Sequence, residues 1–347
     1  MKKLLNLSVL AVLLVGLTSC KDKAATGPGG KSGKKQKIAY VTNGVDPFWD
    51  LCAGGVRQAE KALGIECEVH MPNKGLVDQK RILETLLAKG IAGIAVSPID
   101  ADGQTADLNE AAKQTKLITQ DADAPKSARL CYIGTDNYKA GRAVGKLVKE
   151  ALPQGGEVMI FVGRLEQLNA RQRRQGTIDE LLDRPMQATT DVKFDPVAGA
   201  IKGEKFTVLD TRTDDFDKAR AKSNAEDAMT KHANLACMVG LFAYNPPACL
   251  DAVKEAGKLG KIKIIGFDEQ DAALQGIKDG TVHGTISQQP WKYGYESVRM
   301  LKQILDGDTK AVPENKFFEI PFLIVTKANI DEFWAEKKKM EALGKQP

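Results

Sequence analysis

Apolar positions along this chain fall into two interleaved periods. Short β-rich runs at 37–41, 66–70, 91–96, 116–119 and 130–133 alternate with segments of helical spacing at 47–63, 76–89, 106–114 and 138–151. The alternation continues with strands predicted at 157–162, 206–210, 235–242, 261–267, 283–287 and 316–325, and helices at 171–182, 217–231, 247–256, 271–279 and 291–305. Such a pattern predicts parallel sheets covered by helices. The stretch 184–205, with two prolines and little periodicity, predicts a surface excursion. No repeat at solenoid periods is evident. Residues 37–347 exceed what one hydrophobic core supports, so the expected α/β fold is two doubly wound parallel-sheet lobes facing each other across a cleft.

The first residues follow a different pattern. Lys2 and Lys3, an apolar run from Leu4 to Leu17 and the ending Leu17-Thr18-Ser19-Cys20 read as a signal peptide over 1–20. The run is shorter than the roughly 20 residues of a spanning helix. The Leu-Thr-Ser-Cys ending resembles the bacterial lipobox, which makes Cys20 the expected lipidated residue and membrane anchor of an exported, tethered protein in the periplasm of a bacterium. Residues 21–36, with four glycines, one proline, five lysines and no large apolar side chain, have the composition of a flexible tether. The Gly29-Gly30-Lys31-Ser32 run lacks the first glycine of a phosphate loop, where Ala25 stands, and no strand precedes it.

Charge then changes meaning. Residues 1–36 hold seven lysines against one aspartate, while the whole chain carries +5, so the remainder sums to about −1. No basic field is left for nucleic acid. Five cysteines follow Cys20, namely Cys52, Cys67, Cys131, Cys237 and Cys249, an odd number that leaves at least one free thiol. The histidines His70, His232 and His283 lie far apart, so neither a metal site nor a cofactor is expected.

In open α/β sheets, ligands lie outside the carboxyl ends of the strands. The strand at 37–41 runs into Thr42-Asn43-Gly44-Val45-Asp46-Pro47-Phe48-Trp49, a carboxylate followed by two rings. This stretch reads equally as a helix start, with Asp46 the cap, Pro47 the first helical residue and the rings in the core. Other strand ends lead into Asp121, Arg173, Asn245, Asp268 and Gln288. Singly, these read as caps, turns or surface partners; their succession at strand ends points to convergence on a ligand.

In this order, Asp46-Pro47-Phe48-Trp49, Gln120-Asp121, Arg173 with Gly176, Asp215-Phe216-Asp217, Asn245, Gly266-Phe267-Asp268 and Gln288-Gln289-Pro290 resemble the periplasmic sugar-binding proteins of ABC importers, ribose-binding type, over residues 37–334. The resemblance implies a type I periplasmic binding fold with a three-segment hinge near Thr135, Gln289 and Phe322. Its lobes would be 37–135 plus 289–321 and 136–288 plus 322–347. It also implies that Phe48 and Trp49 pack on the faces of a sugar ring, with Phe216 closing the second face. Asp121 and Asp268 would accept from hydroxyls, Arg173, Asn245 and Gln288 would donate, and Thr42 falls where the family often has a small hydroxyl residue. Rings for C–H faces and charged partners for a hydroxyl rim make physical sense for such a ligand.

Two positions depart from the ribose pattern: Asp46 stands where it has Asn, and Ala122 where it has Arg. The missing arginine leaves a pentose, a hexose or a polyol equally open. Arg164 is a compensating donor only if it is not a solvated loop residue, the commoner case. The expected function is capture of a monosaccharide by hinge closure and delivery to an ABC permease, by a monomer. A sensory receptor for chemotaxis or a sensor kinase is the alternative, and a carbohydrate-active enzyme the rival from another class. No activated Ser, Cys or His constellation supports catalysis.

Overall fold

The computed structural model describes residues 36–344. The signal peptide, Cys20 and all but the last residue of the expected tether lie outside the described residues.

The first sheet is built from β1 (Lys37–Val41), β2 (Glu66–His70), β3 (Gly93–Val96), β4 (Lys116–Gln120) and β5 (Tyr132–Gly134), joined late in the chain by β12 (Phe317–Glu319). Its order is β12-β5-β4-β3-β1-β2, parallel throughout. Strand β1 shows why: Ile38 to Val41 are all fully buried, as strands covered on both faces must be. Around it pack α1 (Pro47–Leu63), α2 (Gly75–Ala88), α3 (Thr105–Gln114) and, from the far end of the chain, α9 (Pro290–Leu305).

The second sheet contains β6 (Gly156–Val162), β7 (Ile201–Lys202), β8 (Phe206–Thr213), β9 (Leu235–Gly240), β10 (Lys263–Phe267), β11 (Gly284–Ser287) and β13 (Leu323–Thr326). Its order is β13-β11-β10-β9-β6-β8-β7, with only the two edge strands antiparallel to their neighbours. Its helices are α4 (Asn137–Ala151), α5 (Leu168–Leu181), α6 (Lys218–Lys231), α7 (Asn245–Glu255), α8 (Asp271–Asp279) and the terminal α10 (Ile330–Gly344). Two parallel-sheet lobes result. The chain passes between them at 134–137, 287–290 and 319–323.

Each lobe carries one pair of helices in backbone contact. A Cβ on Gly294 of α9 would lie 1.8 Å from the Cys52 carbonyl of α1, and one on Gly176 of α5 would lie 2.2 Å from the Tyr138 carbonyl of α4. Only glycine permits this approach, which fixes the helix ends that carry Phe48 and Arg173.

Two features differ from the sequence expectation, and a third adds to it. The single strand at 316–325 is two strands in different sheets, because Pro321 has no N–H to continue a ladder. Helix α10 went unpredicted, although Ile330, Phe333 and Trp334 have helical spacing and pack in the second lobe. The excursion at 184–205 is tied down: Arg174 donates to the carbonyls of Asp195 (3.0 Å) and Pro196 (2.5 Å), and Gln175 Nε2 donates to Asp195 (2.7 Å). All five cysteines of the described residues are buried and unpaired.

Candidate functional site

A cavity of about 340 Å³ opens between the lobes, at the carboxyl ends of both sheets. The first lobe contributes Asn43 to Asp46, Phe48 and Trp49 from the β1–α1 junction, Pro72, Asn73 and Gly75 from the β2–α2 turn, and Asp121 after β4. The second contributes Arg164, Gln167, Asn169 and Arg173 from the β6–α5 junction, Asp215, Phe216 and Lys218 after β8, Phe242 to Tyr244 after β9, and Asp268 after β10. Gln288 enters from the crossing after β11.

The aromatic wall of the first lobe is produced locally. Asp46 caps α1 by accepting from the Phe48 N–H (3.1 Å), and Pro47 takes the first helical position, where a missing donor costs nothing. The cap turns Phe48 and Trp49 inward, edge to face with ring centroids 4.9 Å apart. Both are nearly buried, at 8% and 4% exposure, and belong to the lobe's core as well as to the cavity.

The polar wall is assembled from distant elements around Arg173, which is 1% exposed. Its Nε donates to Asn137 Oδ1 (2.8 Å), Nη1 to the Leu241 carbonyl (3.1 Å) and Nη2 to Gln288 Oε1 (2.6 Å). The guanidinium lies 4.0 Å over the Phe267 ring, and Nη2 is 4.0 Å from Asp121 Oδ1. Gln288 Nε2 in turn donates to Asp268 Oδ1 (2.7 Å). Asp121 accepts from the Ser97 hydroxyl (2.9 Å) and Asn43 Nδ2 (3.4 Å).

Burial sets the electrostatics. It pushes the Asp121 carboxyl up to about 6 against the opposing pull of Arg173 and the Ser97 hydrogen bond. Asp268 is raised chiefly by burial, again with Arg173 and Gln288 opposing. Behind it Glu269, also buried, is raised by burial and then by the neighbouring Asp268 charge. One buried guanidinium therefore serves two carboxyls, Asp121 and Asp268, and fully compensates neither.

Backbone strain gathers at the same place. Asp121, Asp215, Phe216 and Asp268 have φ values of 59°, 56°, 65° and 66°, a region that disfavours non-glycine residues and phenylalanine above all. Phe216 is held there by Asp214, which accepts from its N–H (3.0 Å), and it stacks on Phe242 at 5.6 Å. Such strain persists only where surrounding structure enforces it, and it collects at functional sites.

Eight of the ten residues singled out from sequence line the cavity; Thr42 and Asn245 do not. Asn245 is fully buried, donates to Asp214 (2.8 Å) and accepts from the Phe242 N–H (3.1 Å), so its amide is committed to holding the β9–α7 turn. The Thr42 hydroxyl donates to the Gly44 carbonyl (2.7 Å) and shapes the loop that carries Asp46. Arg164, expected to be solvated, lines the cavity with its guanidinium 5.1 Å over the Phe216 ring. Asn43, Asn169 and Tyr244, which lie in strand-end stretches but are not among the ten, also line the cavity, and sequence reasoning missed Gln167 and Lys218 altogether. Gln167 stands out because it is 1% exposed and neither atom of its amide has a hydrogen-bond partner. Among the described residues no group of three or more His, Cys, Asp or Glu side chains is placed to hold a metal ion.

Two parallel α/β lobes, three crossings and a polar and aromatic cleft at the facing strand ends define the class of two-lobed solute-binding folds. The chain belongs to the periplasmic binding protein domain family, whose profile matches residues 38–309. It is similar to the ribose import binding protein of Salmonella typhimurium, with 25% identity over 313 residues that cover 89% of this chain and 94% of that protein. The fructose import binding protein of Bifidobacterium longum is also 25% identical, over 89% of this chain and 90% of the relative. Among solved structures, an ABC transporter solute-binding protein of Burkholderia graminis in complex with D-arabinose superposes with a TM-score of 0.76 at 27% identity, covering 86% of this chain and 98% of that one.

Proposed function

We propose that this protein captures a monosaccharide in the interlobe cavity and delivers it to an ABC importer, outside the cytoplasm and without chemical turnover. The observation that carries this reading is the meeting, in one cavity of about 340 Å³, of rings from both lobes with the buried set Asp121, Arg173, Asp268 and Gln288. A sugar has apolar C–H faces and a rim of hydroxyls that both donate and accept. Phe48, Trp49 and Phe216 supply flat surfaces, the raised carboxyls accept, and Arg173 donates from a fixed fork. The relatives named above are a ribose and a fructose import binding protein and a solute-binding protein in complex with D-arabinose, which supports this ligand class.

The three crossings would be the hinge, dividing the chain into 37–135 plus 289–321 and 136–288 plus 322–347. Ligand contacts from both walls favour the closed state by differential affinity. Cys20 would carry a lipid anchor, and the protein would act as a monomer. A thermal-shift screen over pentoses, hexoses and polyols tests the reading, since a ligand that binds only the folded state raises the melting temperature. The expected result is a shift with at least one pentose or hexose. No shift with any sugar, or turnover of aryl glycosides, would overturn it.

A further inference from the structure

We infer that Asp46 and Lys218 act together as a charged latch that spans the mouth of the cleft, making them positioning residues for closure. The inference rests on the two-lobe closure proposed above and adds how that closure is held. Asp46 belongs to the first lobe. Its Oδ2 lies 3.4 Å from Lys218 Nζ at the start of α6, and both of its carboxylate oxygens accept from Gln270 Nε2 at 3.3 Å; Lys218 and Gln270 belong to the second lobe. The Asp46 side chain is only 16% exposed, while Lys218 is 60% exposed, as expected of an arm reaching across a solvent-facing gap. Both residues line the cavity.

Local chemistry gives no reason for a lysine at 218. It is the first residue of α6, after the cap Asp217, where the positive end of the helix dipole disfavours a cation. Asp46, by contrast, has a local reason, since Oδ1 caps α1. An asparagine would cap equally well, so the cap explains the oxygen and leaves the charge unexplained. The charge is explained by the opposite lobe. A second bridge reinforces the picture: Arg171 Nη2 of the second lobe lies 3.3 Å from Asp102 Oδ2 of the first, and the Ala101 N–H donates to the Glu166 carbonyl (3.3 Å).

The test uses the full chain without sugar, so it does not depend on which ligand binds. Small-angle scattering from ~20 mM to ~500 mM NaCl reads the balance of closed and open forms, because partly exposed ion pairs weaken as salt screens them. Wild type and Lys218→Arg should open as salt rises. Asp46→Asn keeps the cap, and Lys218→Glu improves the local helix start while repelling Asp46. Both should lower the closed-to-open ratio by about two- to fivefold at low salt and respond less to salt, with melting temperatures at or above wild type for Lys218→Glu. Identical scattering and salt response in all four proteins overturns the latch. If no added D-ribose, D-arabinose or D-fructose shifts the wild-type melting temperature while the salt response persists, the sugar reading fails and the latch stands.

Discussion

The two walls of the cleft are made in different ways. On the first lobe, Asp46, Pro47, Phe48 and Trp49 are consecutive, and one capped helix start sets both rings. On the second, Arg173 is held by Asn137 from α4, the carbonyl after β9 and Gln288 after β11, none of them near it in sequence. The first wall is rigid because it is also core. The second is a polar network that is complete only when every distant partner is present, so single changes should act on the two walls differently.

The largest expected effect is at the network's centre. Arg173→Ala leaves Asp121 and Asp268 buried without their cation, which should cost on the order of 3 to 5 kcal/mol of stability and abolish measurable sugar binding. Denaturant unfolding and calorimetry check it; a variant that melts and binds like wild type would show that the network is not what holds this wall.

The aromatic pair sharpens the contrast. Phe48→Ala removes a ring that is also core and should cost about 3 kcal/mol of folding stability together with affinity. Phe216 is only half-buried, so Phe216→Ala should leave the melting temperature nearly unchanged and reduce affinity by roughly 1 kcal/mol, a factor of about five. Equal stability losses for the two would remove the distinction between the walls.

The smallest effect is in the dependence on pH. Asp121 and Asp214 are raised to about 6 by burial, and Asp268 and Glu269 are raised for the same reason. An acid whose folded value lies above its unfolded value favours folding in its protonated form. That stability is fully present below the ordinary carboxylate range, near about 4, and is lost as pH rises through the folded values. The melting temperature should therefore fall from pH ~4 through pH ~6 and above. Glu269→Gln, which stays neutral, should flatten the upper part of the fall; an unchanged slope would contradict the assignment to this residue.

Much of this was legible in the sequence because it is local. Strand β1, the cap at Asp46 and the alternation of strands and helices follow from neighbouring residues, whereas the three points of crossing rest on the family resemblance. What was missed depends on distance in the chain. The resemblance makes Asn245 a donor to the ligand, but its amide is taken by Asp214, one residue ahead of the Asp215-Phe216-Asp217 motif. Gln167 sits in a polar loop with nothing to mark it until the fold closes around it. Helix α5 has no apolar stripe, since its buried side chains include Arg173, Arg174, Gln175 and Asp179, so its role in pinning 184–205 is invisible to periodicity. Ala122, read as the loss of a donor, is 1% exposed, and the cations the structure places at the cavity are Arg164, Arg173 and Lys218.

Both walls should engage one sugar at once. Calorimetric titration of the full chain with D-ribose, D-arabinose, D-fructose and D-allose tests it most directly. One-to-one binding of at least one of them is expected, with a Kd on the order of 1 μM or tighter, lost in Arg173→Ala and weakened in Phe216→Ala. Absence of binding to every sugar at millimolar concentration, or binding indifferent to both substitutions, would contradict it.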